Sequence, residues 1–164
     1  MYLLFIQVLI IMVLIPMTIF YLLRSLGYLD SIMAEKLSQR RIPLAIQALL
    51  IFILTKYSVT IERAPELHFF FIGACGSTVS ALAFLLMRIK ISLHMMALSG
   101  LLVFLVGLSI HGHINMINTI AFFCVMTGLT ASSRLYMKAH DWAELIVGFI
   151  AGVFPQIVLW YLWL

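Results

Sequence analysis

The sequence predicts an all-α integral membrane protein, with six transmembrane helices in one compact bundle. Three observations lead there. Of the 164 residues, 65% are hydrophobic and only 10% are charged, whereas a soluble domain carries about a quarter charged residues. The apolar residues fall in runs near twenty long, the length that crosses roughly 30 Å of hydrocarbon. The runs are separated by short polar links with turn-forming and helix-capping residues. The first run begins at Tyr2, with no basic segment before it and no small-residue cleavage site after it. It is therefore expected to stay as a helix and not to be removed as a signal peptide.

Six runs can be marked, at about 2–23, 42–61, 67–87, 94–112, 114–132 and 142–164. Between the first two lies a polar segment, 24–41, expected to form a short amphipathic helix. Asp30 or Ser31 can cap it, and Lys36, Arg40 and Arg41 lie near its end, where the helix dipole favours cations. Pro43 opens the second run, Pro65 marks the turn before the third, and Gly112 sits in the link between the fourth and fifth. In the third run Gly73, Gly76 and Ser80 offer small surfaces for helix packing. In the sixth, Gly148 and Gly152 make a GxxxG pair. Trp142 at one end of the sixth run, and Trp160, Tyr161 and Trp163 at the other, suit the two membrane interfaces. Pro155 predicts a kink there. Cys75 and Cys124 lie inside apolar runs and read as packing residues, since two isolated cysteines have no ligand spacing.

Six spans place the links 24–41, 88–93 and 133–141 on one side of the membrane. That side holds Arg24, Lys36, Arg40, Arg41, Arg88, Lys90, Arg134 and Lys138; the other holds Lys56 and Arg63. One explanation is the positive-inside rule, which makes the charged side cytoplasmic. The other is an anion site. The net charge of +4 comes with no basic block fit for nucleic acid. Two histidines, His94 and His140, fall on the charged side, and Glu144 is four residues beyond His140, a spacing that lets the two meet on a helix. A carboxylate bonded to one imidazole nitrogen sets the tautomer and leaves the other nitrogen to attack or to take a proton. His111 and His113 belong to the far side, which argues against a haem or metal site shared with His94 and His140. His68 reads as an interface residue.

These residues resemble the motifs of the type 2 phosphatidic acid phosphatase family, in its integral membrane branch. Ser133-Arg134, five residues, His140, three residues and Glu144 match the third motif, with Glu for Asp. Ile91-Ser92-Leu93-His94 keeps the serine and histidine of the second motif without its proline and glycine. Lys36 with Arg41-Ile42-Pro43 keeps the residue types of the first but not their spacing. The resemblance runs from about residue 24 to the end. It implies a phosphohydrolase that works through a phosphohistidine, with no metal or other cofactor. His140 would be the nucleophile, Glu144 its orienting partner, and His94 the acid and then the base. Arg134, Arg41, Lys36 and Ser92 would bind phosphate, with Lys90 and Lys138 as further candidates. The substrate would be a membrane lipid phosphate, and the location a bacterial inner membrane. Family resemblance places the active face outside, against the charge count. The alternative expectation is a non-catalytic helical scaffold or small transporter, in which Asn115, Asn118 and Thr119 line a polar path.

Overall fold

The computed structural model describes residues 2–28 and 37–164, excluding the side chain of Ser38. All the regular structure among these residues is helical. We number the helices α1 (Tyr2–Ser25), α2 (Arg41–Tyr57), α3 (Pro65–Leu86), α4 (Leu93–His111), α5 (Ile117–Tyr136) and α6 (Trp142–Trp163). Four of them, α1, α3, α4 and α6, are long and apolar enough to cross a membrane. α2 has only 17 residues. α5 is long enough but interleaves Asn118, Thr119, Thr127, Thr130, Ser132 and Ser133 with its apolar residues. The cap expected at Asp30 or Ser31, and Lys36, lie outside the described residues.

The helices fall into two compact units, Met1–Ile89 and Lys90–Leu164. In the first, α2 packs on α3 around Ile51, Leu54, Val59 and Phe71. Leu4, Val8, Ile11 and Met12 of α1 cover this cluster. α1 itself has no buried residue, and its exposed Phe5, Val13, Met17 and Tyr21 make a surface suited to lipid tails. Within α1, Ile10–Leu14 takes π-helical geometry, and the Ile15 N–H donates to the Ile10 carbonyl. Pro16 accounts for this. It has no N–H for the Met12 carbonyl and its ring crowds that carbonyl, so the turn before it widens.

Several expected ends move. α2 stops at Tyr57 because the N–H groups of Ser58 and Val59 both donate to the Leu54 carbonyl, and Val59 folds into the core. In α3 the buried small residues are Gly73, Ser77 and Ala81, four apart, while Gly76 faces outward. Of the expected Gly73, Gly76 and Ser80, Gly73 is on the packed face and the other two stand one position off it. α5 starts later than expected, since the Asn115 Oδ1 accepts the Ile117 N–H, and it runs on to Tyr136. Ser133 and Arg134 are therefore the last turn of a helix and not part of a link.

In the second unit α4 packs against both α6 and α5. Its contact with α6 is close because both backbones present small residues. A Cβ on Gly148 would stand 2.6 Å from the Ser92 carbonyl oxygen. One on Gly152 would meet the Met96 carbonyl and the Ser99 hydroxyl, and Gly100 faces the Gly152 carbonyl. Ser99 Oγ donates to the Phe149 carbonyl at 2.9 Å, so a hydrogen bond crosses the contact. The GxxxG pair does what the sequence suggested. Trp142 and Tyr161 are exposed at the two ends of α6, but Trp163 is buried against Phe104, His111 and Gly107. It is a packing residue and not an interface anchor. α6 runs unbroken through Pro155.

Four helix ends turn the same way. After α1, α3, α4 and α5 the chain passes through one residue of positive φ: Gly27, Arg88, His113 and Lys138. After α5, the Lys138 N–H donates to the Leu135 carbonyl and the Ala139 N–H to the Arg134 carbonyl, the two bonds of a Schellman motif. At the α4 end Gly112 has an ordinary φ of −80° and His113 takes the left-handed position. The turn expected at Gly112 is there, displaced by one residue.

Candidate functional site

The sequence-predicted residues divide between the units. Lys90, Ser92, His94, Arg134, His140 and Glu144 belong to the second unit, and Arg41 opens α2 in the first. In the second unit, the link between α5 and α6 meets the start of α4. The Ser92 N–H donates to the Glu144 carbonyl at 3.2 Å. His94 follows two residues after Ser92, exposed in the first turn of α4. His94 and His140 therefore occupy the same end of this unit. His111 closes the opposite end of α4, about 25 Å away at the helix rise of roughly 1.5 Å per residue.

His140 and Glu144 are joined. The His140 Nδ1 lies 2.6 Å from Glu144 Oε2. The expectation was two residues on one helix face, but the route is different. α6 begins at Trp142, and Asp141 is its N-cap, accepting the Glu144 N–H at 2.8 Å. His140 precedes the cap, and its ring folds back onto the side chain of the third helical residue. In place of the reciprocal bond of a capping box to the N-cap N–H, the Glu144 carboxylate meets the imidazole. An ionised carboxylate only accepts hydrogen bonds. With Glu144 in that form and the imidazole neutral, Nδ1 donates and Nε2 holds the lone pair. The His140 side chain is 7% exposed and that of Glu144 20%. Asp141 is committed to the helix cap, and Glu144 is the carboxylate that meets His140.

Two other expected phosphate ligands have tasks inside the protein. Ser92 is fully buried and is the N-cap of α4, its hydroxyl accepting the Met95 N–H at 3.4 Å. Lys90 donates from Nζ to the Ala139 carbonyl at 2.6 Å and lies 3.5 Å from Glu144 Oε2. Neither task was legible from motif spacing. The capping role of Ser92 could have been read from its place just before an apolar run. Arg134 is different. Its main-chain carbonyl accepts from Ala139 and His140, which holds the last turn of α5 beside the histidine. Its Nε is buried with no hydrogen-bond partner. An arginine nitrogen removed from water without a partner is costly, and an anion would relieve that cost. Lys138 is exposed at the left-handed position beyond α5. No group of three or more His, Cys, Asp and Glu placed to hold a metal occurs among the described residues.

No family model, no curated protein and no solved structure matches this chain.

Proposed function

We propose that the chain is a membrane-embedded lipid phosphate phosphatase that needs no metal and works through a phosphohistidine on His140. The observation that carries this reading is the 2.6 Å pairing of His140 Nδ1 with Glu144 Oε2, at the end of the unit that also holds His94 and Arg134. With Nδ1 donating, Nε2 is the nitrogen with the lone pair, and it attacks phosphorus. The P–N bond forms as the bond to the leaving oxygen breaks. His94 gives that oxygen a proton. His94, now neutral, takes a proton from water, which attacks phosphorus, and the P–N bond breaks to release phosphate. Glu144 stabilises the charge that builds on the imidazole while it acts. Arg134 is the cation for the phosphoryl oxygens. In this reading α2 and α5 also cross the bilayer, and the end of the second unit that holds His94 and His140 lies at a membrane face. A substrate with its tail left in the bilayer suits a site on such a face.

The test is phosphate release from phosphatidic acid, phosphatidylglycerol phosphate and a polyprenyl pyrophosphate in detergent, with a chelator present. Activity that is lost in His140→Ala, with thermal unfolding unchanged, supports the reading. Activity that survives this change, or that requires added metal, refutes it.

One observation favours a second reading, a non-catalytic helical scaffold. Ser92 and Lys90 are both spent on internal bonds, which is what a purely structural end to the bundle would need. On that reading neither the wild type nor the variant releases phosphate.

A further inference from the structure

Lys90 stands outside the motifs discussed above, and its geometry is more specific than that of a phosphate ligand. Its ammonium bonds a carbonyl 49 residues away in sequence, that of Ala139, at 2.6 Å. The same nitrogen lies 3.5 Å from Oε2 of Glu144. This is the same oxygen that His140 Nδ1 meets at 2.6 Å. One carboxylate oxygen thus lies between an ammonium and an imidazole. The Lys90 side chain is 31% exposed and that of Glu144 20%, so the pair is partly withdrawn from water and screened less than a surface pair. The anchor on Ala139 is itself built by the fold. Lys138 takes the left-handed conformation, and the His140 N–H, which shares its peptide unit with the Ala139 carbonyl, donates to the Arg134 carbonyl at 3.4 Å, which fixes the peptide that bears the carbonyl.

We propose that Lys90 is a positioning residue for His140, acting through Glu144. Fastened to the Ala139 carbonyl, its ammonium holds the Glu144 carboxylate against the imidazole, and so dictates which ring nitrogen of His140 holds the proton. What His140 then does with its other ring nitrogen rests on the phosphatase reading; the control of its tautomer does not. An ammonium has three donors. One is spent on Ala139 and a second is aimed at Glu144, so Lys90 acts on the histidine and not on the substrate.

The experiment reads the tautomer directly. Protein labelled with ¹⁵N-histidine in detergent micelles is compared as wild type, Lys90→Met, Lys90→Gln and Lys90→Arg by ring nitrogen shifts. The wild type and Lys90→Arg are expected to show His140 protonated on Nδ1 alone. Lys90→Met and Lys90→Gln are expected to show His140 divided between both tautomers, with the signals of His111 and His113 at the far end unmoved. Glutamine can still bond the Ala139 carbonyl without a charge, so it carries the test if the methionine variant does not fold. An unchanged His140 tautomer in Lys90→Gln overturns the proposal. Kinetics give the second reading. A fall in kcat of about 10²-fold with KM unchanged fits a displaced nucleophile. A raised KM with kcat unchanged makes Lys90 a phosphate ligand and overturns the proposal. A wild type that releases no phosphate sinks the phosphatase reading and leaves the tautomer result to decide the role of Lys90.

Discussion

The main-chain N–H of Ser92 donates to the main-chain carbonyl of Glu144 at 3.2 Å. That bond joins the entry to α4 with the first turn of α6. It brings together two stretches of sequence about fifty positions apart, one holding His94 and the other His140. The spacing of Gly148 makes the approach possible, since any side chain there would strike Ser92.

Replacing Gly148 with Ala should therefore force α4 and α6 apart at this point. A Cβ 2.6 Å from a backbone oxygen cannot be absorbed by a rotamer change. The expected cost is about 1–3 kcal/mol, read as a lower unfolding temperature in detergent. Gly128→Ala is the control. A Cβ at Gly128 meets nothing within 4 Å, and alanine in a helix interior is favoured by about 0.5–1 kcal/mol, so stability should rise or stay level. Equal behaviour of the two variants would contradict the packing described.

Asp141 should be a stability residue whose loss also disturbs His140. Asp141→Ala removes the acceptor for the Glu144 N–H and should cost about 1 kcal/mol, while Asp141→Asn should cost little. The fraying first turn would also release Glu144 from the imidazole, so the His140 ring signals should move in the alanine variant and not in the asparagine one.

Lys138→Gly should stabilise the protein. Lysine at φ 52° occupies a conformation that costs a residue with a Cβ roughly 1–2 kcal/mol. Glycine has no such cost, and a gain of about 1 kcal/mol in chemical denaturation is expected. If Lys138 takes no part in phosphate binding, KM for a lipid phosphate should be unchanged in this variant. A raised KM would move Lys138 into the site.

Glu144→Gln should separate orientation from charge. The amide can still bond His140, but it cannot balance a cationic imidazole or hold the Lys90 ammonium. On the phosphatase reading kcat should drop by about 10²-fold or more, with unfolding temperature little changed. Full activity in this variant would remove Glu144 from the mechanism.

One contact of the candidate site was legible in the sequence, though not for the reason supposed. The pairing of His140 with Glu144 followed from a spacing of four, yet the structure reaches it by a ring folding back over the Asp141 cap. Ser92 was read as a ligand from the second motif, with Lys90 as a further candidate. Their internal partners, Met95 for one and Ala139 and Glu144 for the other, depend on how helices meet, which spacing along the chain does not encode. Arg134 was read in a link and stands in the last turn of α5, because helix continuation there depends on the Schellman bonds around Lys138.

By itself the sequence determined the solvent and the secondary structure. Long apolar runs can satisfy their backbone in lipid only as helices, and the caps and prolines between them mark where those helices turn. The tertiary structure alone decided which small residues face a neighbour, as with Ser77 in place of Gly76, and which polar groups are spent inside the protein. The physical reason is that helix periodicity is a local property. The approach of α4 to α6, which lets Ser92 reach Glu144 and Lys90 reach Ala139, is set by packing between residues far apart in the chain.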